Sequence, residues 1–123
     1  MKPRIAVVED NPDNRLLVQA LLEDRYDLTE YETGQEAIDG LVDDGPDVIL
    51  LDISLPQMDG TEVLAWIRSV GPIADTPVIA LTAHAMAGDR ERFLDLGFND
   101  YVTKPIVDED VLIEAIERWL VKS

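Results

Sequence analysis

The chain is predicted to adopt an α/β fold in which a parallel sheet is covered by helices on both faces. Two features of its 123 residues predict this. Short β-branched apolar runs alternate with amphipathic stretches of helical period, the pattern of successive βα units. The central runs Val48-Ile49-Leu50-Leu51 and Val78-Ile79-Ala80-Leu81 are also apolar without interruption, as strands shielded on both faces are.

The order of elements follows from local chemistry. Strands are expected over Ile5 to Val8, Leu28 to Tyr31, Val48 to Leu51, Val78 to Leu81 and Tyr101 to Thr103. Asn11-Pro12 sets a capping side chain before a proline at the first helical position, which opens a helix through about Asp24. Thr33-Gly34-Gln35-Glu36 is a capping box that opens the second helix. Asp59 can cap a third helix to about Arg68, which Gly71-Pro72 breaks before the fourth strand. A fourth helix is expected over about Ala87 to Leu96, ended by Gly97, and a fifth over Glu109 to Val121. On amphipathic helices, Trp66 and Trp119 are expected to serve in packing. Leu16-Leu17-Val18 cannot all face inward on one helix, so an apolar side chain there is open to a partner, with Leu17 and Ile106 as the residues expected to dock it.

Bulk composition narrows the function. The length suits one domain with its own core, and the fit of residues 1–123 together with Met1 leads us to expect a stand-alone domain with no output domain. No apolar run is long enough to span a membrane, and Ile5-Ala6-Val7-Val8 is stopped at once by Glu9-Asp10, unlike the core of a secretory signal. A cytoplasmic location is therefore expected, with no membrane partner. Without cysteine there are no disulfides and no thiolate chemistry. A net charge of −16, from 26 acidic and 10 basic residues, repels a phosphate backbone, so no nucleic-acid partner is expected. The same acidity is compatible with plain solubility, with a salt-rich cytoplasm, since only 3 of the basic residues are lysines, or with partner steering.

In an open α/β sheet, functional groups gather at the carboxyl ends of strands near the point where strand order reverses. That rule selects Glu9 and Asp10 after the first strand, Asp52 after the third, Thr82 after the fourth and Lys104 after the fifth. Each has an ordinary alternative: loop solubility or helix capping for the acids, a β-branched strand position for Thr82, a turn for Lys104. Their joint placement at one mouth favours function. Three carboxylates held so close repel one another and call for a cation; oxygen ligands favour a hard one such as Mg2+ or Mn2+. An aspartate can act as nucleophile toward phosphorus, and phosphoryl transfer needs mainly positioning and charge neutralisation, which a metal, a lysine and a hydroxyl can provide.

These motifs resemble the receiver domains of two-component signalling over the whole chain. Val7-Val8-Glu9-Asp10-Asn11 resembles the family's acidic metal-binding motif, and Leu51-Asp52-Ile53-Ser54-Leu55-Pro56-Gln57-Met58-Asp59-Gly60 its phosphoacceptor loop. Leu81-Thr82-Ala83 and Tyr101-Val102-Thr103-Lys104-Pro105 complete the set. The resemblance implies a flavodoxin-like (βα)5 fold with strand order 2-1-3-4-5. It implies Asp52 as phosphoacceptor, metal ligation by the side chains of Glu9, Asp10 and Asp52 and by the Ser54 carbonyl, and contacts from Thr82 and Lys104 to the phosphoryl oxygens. Tyr101 would report phosphorylation together with Thr82, its alternative being a strand aromatic packed in place, and the bond to Pro105 would be cis. His84 would be a loop residue bordering the hydrolytic path rather than a phosphodonor. Implied partners are a sensor histidine kinase or a histidine phosphotransfer protein, and a downstream protein target. Glu-Asp-Asn and the segment Thr82-Ala83-His84-Ala85-Met86-Ala87-Gly88-Asp89 look most like stand-alone, phosphorelay and hybrid-kinase receivers.

Three rivals share part of this pattern. A flavodoxin-like FMN binder would carry a Ser/Thr/Gly-rich phosphate loop where Glu9-Asp10-Asn11-Pro12 stands. A haloacid-dehalogenase-like phosphatase would place its nucleophile after the first strand in an Asp-x-Asp pattern. A degenerate receiver acting only as a docking module would lack some of the site residues, and all are present.

Overall fold

The computed structural model describes residues 2–55, 57–83, 89–104 and 109–120, with the side chains of Asp89 and Arg90 left aside. The expectations for His84, Pro105, Ile106 and Val121 lie outside the described residues. The elements run β1 Arg4–Val8, α1 Pro12–Leu22, β2 Asp27–Tyr31, α2 Gly34–Asp44, β3 Val48–Asp52, α3 Gly60–Ser69, β4 Val78–Thr82, α4 Asp89–Leu96, β5 Asp100–Thr103 and α5 Glu109–Leu120. A short 3-10 turn at Gly71–Ile73 lies where Gly71-Pro72 was expected to break the chain. The five strands form one parallel sheet in the order β2-β1-β3-β4-β5, the order implied by the resemblance.

Alternation along each strand divides the core in two. Ala6, Val8, Ile49, Leu51, Val78 and Ala80 face α2, α3 and α4, meeting Ala37, Leu41, Val63, Leu64, Ile67 and Phe93. Ile5, Val7, Val48, Leu50, Ile79 and Leu81 face α1 and α5, meeting Val18, Leu22, Leu112 and Ile116. Continuous apolar runs are therefore required in the central strands β3 and β4, because both of their faces are dry. Trp66 and Trp119 pack at the margins of these two cores, as expected for packing residues.

The caps behave as their chemistry dictates, with two departures. Asn11 Oδ1 accepts from the N–H groups of Asp13 (2.8 Å) and Asn14 (3.2 Å), and Asp59 Oδ1 accepts from Thr61 N–H (2.7 Å). Thr33 caps α2 by accepting from Glu36 N–H, but the Glu36 carboxylate reaches back to the N–H of Glu32, one residue before the partner expected in a capping box. Helix α1 stops at Leu22 rather than near Asp24. There the Leu22 carbonyl accepts from both Arg25 and Tyr26 N–H, and the tightened turn drops Tyr26 into the core. Within Leu16-Leu17-Val18, Leu16 is the one exposed, at 65%, while Leu17 packs against the core and Val18 is buried within it. The apolar side chain left open on α1 is thus Leu16, with Leu17 only partly exposed, because successive residues turn by about 100° around a helix.

At the amino-terminal ends of the strands, Arg68 joins the ends of several elements. Its guanidinium donates to the carbonyls of Gly97, Ala74 and Thr76 and to Asn99 Oδ1, which itself accepts from Val78 N–H. Truncation to Met would leave these part-buried acceptors without their donor. Arg68→Met is expected to lower the unfolding free energy by about 2–4 kcal/mol in urea, and a loss below about 1 kcal/mol would mean that water replaces the guanidinium without cost.

Candidate functional site

The sheet reverses its order between β1 and β3, which run side by side with their carboxyl ends at one edge. A crevice must open there, since the connections leaving these strands diverge to opposite sides. Glu9 and Asp10 follow β1 and Asp52 ends β3, so chain topology alone places them around that crevice. Glu9 N–H donates to the Tyr31 carbonyl, prolonging the pairing with β2 by one residue and fixing where Glu9 sits. Lys104 is held by its N–H to the Thr82 carbonyl at 2.7 Å, and reaches back across the sheet.

The side chains converge. Ligand oxygens of Glu9, Asp10 and Asp52 lie within 4.8 Å of one another. Lys104 Nζ sits 3.1 Å from both Glu9 Oε1 and Asp52 Oδ2, and Ser54 N–H donates to Asp52 Oδ1 at 3.0 Å. Glu9 and Asp52 are buried, at 0% and 1% exposure, whereas Asp10 is exposed. Thr82 is buried at the end of β4, the strand that pairs with β3, and Ala83 beyond it is exposed. Tyr101 stands apart from this group. It is half-buried on β5, paired with Ala80, with its ring 5.7 Å from that of Phe93.

Burial, and then the adjacent Asp52, push the Glu9 carboxyl up from the usual range to about 7 despite its contact with Lys104. Burial would raise Asp52 as well. Its hydrogen bonds with Glu9, Ser54 N–H and Lys104 outweigh that effect and hold it below the ordinary carboxylate value. The Lys104 ammonium, which burial alone would lower, is raised by the same two acids. The Ser54 N–H and the Lys104 ammonium thus favour the ionised form of Asp52, the form a nucleophile requires.

The donor set fits a hard divalent cation. Glu9 Oε2 is buried without a hydrogen-bond partner, a costly state for a carboxylate oxygen. The cluster of Glu9, Asp10 and Asp52 carries three carboxylates against one ammonium and is short of positive charge. All-oxygen ligation with an exposed side suits magnesium, which keeps several waters.

Asp52, Glu9, Asp10, Thr82 and Lys104 were all selected from the sequence. Missed was Arg15, whose guanidinium donates to the Glu9 and Asp10 carbonyls, while Gly60, read only as the end of the phosphoacceptor loop, sits where a β-carbon would meet the Asp52 carbonyl oxygen at 2.3 Å. Also missed was Asp100, a buried acid paired with Arg118 and with the Trp119 N–H. Backbone carbonyl acceptors and close approaches leave no residue signature that a sequence alone displays.

Site and topology define an acidic α/β receiver module, and comparison with known proteins agrees. The response regulator receiver domain family matches residues 5–117. The polar-differentiation response regulator DivK of Brucella ovis is 39% identical over 121 residues, covering 98% of both chains. The sensor protein GacS of Pseudomonas syringae pv. syringae is 39% identical over 121 residues, and the histidine-protein kinase BarA of Escherichia coli K12 is 42% identical over 106. The chain spans only 13% and 12% of those two sensor proteins. Among solved structures, the receiver domain of sensor histidine kinase PA1611 from Pseudomonas aeruginosa PAO1 superposes with a TM-score of 0.88 at 36% identity, covering 98% of each chain. That structure has a magnesium ion coordinated in its active site cleft. The chain belongs to the response regulator receiver domain family, and its function is that of a receiver in two-component signalling, the setting in which such domains meet histidine kinases or phosphotransfer proteins. Among the described residues no helix is long and apolar enough to cross a membrane.

Proposed function

We propose that Asp52 accepts a phosphoryl group from a partner histidine, with Mg2+ held by Glu9, Asp10, Asp52 and the Ser54 carbonyl. The observation that carries this reading is the buried Asp52 beside the orphaned Glu9 oxygen and the shared Lys104 ammonium. An Asp52 oxygen attacks phosphorus, the bond from phosphorus to the donor's ring nitrogen breaks, and its electron pair returns to that ring. Bound magnesium supplies the positive charge that lets a dianionic phosphoryl group approach three carboxylates. Lys104, already placed against Asp52, meets one phosphoryl oxygen, and the Thr82 hydroxyl at the end of β4 meets another.

The chain acts in this reading as a single cytoplasmic receiver domain that assists its own phosphorylation without turning over an external substrate. It takes its phosphoryl group from a sensor histidine kinase or phosphotransfer protein and passes a conformational change to a downstream protein, or the phosphoryl group onward in a relay. The likeness to DivK over nearly its full length supports this reading, as does the likeness to the receiver portions of sensor kinases. Tyr101, half-buried against Phe93, would change its exposure when Thr82 engages the phosphoryl group. The test is incubation with acetyl phosphate followed by intact mass measurement. Mass rises by one phosphoryl group with magnesium and stays unchanged when the metal is chelated; a rise that ignores the metal, or no rise at all, overturns the reading.

A further inference from the structure

We propose that Arg15 is the positioning residue of the acidic loop: through two successive backbone carbonyls it fixes the directions from which Glu9 and Asp10 present their carboxylates to a divalent cation. The proposal rests on the reading of Glu9 and Asp10 as metal ligands. Arg15 Nη1 donates to the Glu9 carbonyl at 3.0 Å and to the Asp10 carbonyl at 3.1 Å. Nη2 donates to Glu32 Oε1 at 3.1 Å, and Nε lies 4.0 Å from Glu30 Oε1. The side chain is mostly buried for an arginine, at 16% exposure.

Successive carbonyls of an extended chain point to opposite sides. Here both meet one nitrogen, so the chain has turned at Asp10, and the peptide planes on either side of that residue are set by a single group. The rest of the loop is pinned as well: Glu9 N–H on the Tyr31 carbonyl before it, the Asn11 side chain on the first turn of α1 after it. An otherwise exposed Asp10 is thereby brought to within 4.8 Å of two buried carboxylates. A planar guanidinium can serve two carbonyls and a carboxylate at once, which an ammonium cannot do with the same geometry. Glu30 and Glu32, at the end of β2, hold its far side.

The sign of the effect separates positioning from plain electrostatics. A positive charge close to a dication repels it, so if Arg15 acted only through its charge, removing it would tighten magnesium binding. Positioning demands the reverse. Loss of a residue that orients metal ligands weakens affinity by about 10–100-fold. The experiment titrates the metal-free full chain with magnesium, followed by backbone amide NMR shifts, for the parent, Arg15→Met and Arg15→Lys, with urea unfolding alongside. The expected result is a dissociation constant at least about tenfold higher for Arg15→Met. Arg15→Lys, which keeps the charge but loses the fork, recovers only part of that loss. At saturating magnesium, labelling of Arg15→Met by acetyl phosphate returns toward the parent rate, because the reacting groups are intact. Tighter or unchanged magnesium binding in Arg15→Met overturns the proposal, as does full recovery in Arg15→Lys, and so does a fall in stability with no change in affinity. A parent that binds no magnesium overturns the metal-ligand reading itself, and is told apart because the parent alone shows it.

Discussion

Asp52→Asn is expected to reduce labelling by acetyl phosphate by more than about a hundredfold while leaving the fold intact, because the amide keeps the shape of the side chain and removes its nucleophilic oxygen. Nearby carboxylates do not substitute. Asp59 is committed to capping α3 by accepting from Thr61, and Glu9 is buried with Lys104 Nζ 3.1 Å from its Oε1. Stability should not suffer, for a physical reason. In the metal-free protein Asp52 is one of the groups that raise Glu9, so neutralising residue 52 removes a repulsion and leaves Lys104 to pair with Glu9 alone. The urea midpoint of Asp52→Asn should therefore equal or exceed that of the parent. Intact mass after labelling checks the first claim, and residual labelling at the parent's level would move the acceptor elsewhere. A lower urea midpoint would show that the Asp52–Lys104 contact contributes more than the repulsion costs.

The fold was legible because its strands report their surroundings directly. Val48-Ile49-Leu50-Leu51 has no polar residue because both of its faces meet helices, and the interior of β3 is buried throughout. Strand β2 was harder to read: Asp27-Leu28-Thr29-Glu30-Tyr31 lies at the sheet edge, where only one neighbour pairs with it and polar residues are tolerated. The end of α1 was misplaced by two residues because Glu23 and Asp24 are compatible with a helix, and tertiary burial of Tyr26 decides the turn. In the candidate site, the side chains that converge were legible, since acids, a lysine and a hydroxyl at strand ends are unusual in combination. The groups that hold them were not. Nothing in the sequence around Arg15 points to the Glu9 and Asp10 carbonyls, and only the bend of the loop reveals them as its partners.

Gly60→Ala is expected to be the most damaging single methyl group that can be added to this domain near the site. Between Asp52 and α3 the chain closes a tight loop, with Gly60 N–H donating to the Ile53 carbonyl at 3.0 Å. Within that loop Gln57 already occupies the left-handed region at φ 64°, a strain of about 1 kcal/mol or more for a residue with a side chain. A β-carbon on residue 60 would lie 2.3 Å from the Asp52 carbonyl oxygen and 2.7 Å from the Ile53 α-carbon. Both obstacles are backbone, so no side-chain rotation relieves them; either α3 or the end of β3 has to move. Overpacking in well-ordered interiors costs about 1–3 kcal/mol where side chains can adjust, and here the cost should be at or above the top of that range. Where the end of β3 yields, Asp52 itself is displaced, and labelling per folded molecule should fall as well. Gly71→Ala serves as the control, because a β-carbon there meets nothing within 4 Å and should change stability by less than about 0.5 kcal/mol. Urea unfolding of the two variants measures the difference, and labelling well below the Gly60→Ala midpoint separates a displaced Asp52 from simple unfolding. If Gly60→Ala were as stable and as readily labelled as Gly71→Ala, the loop would have to be looser than its contacts with Asp52 and Ile53 allow.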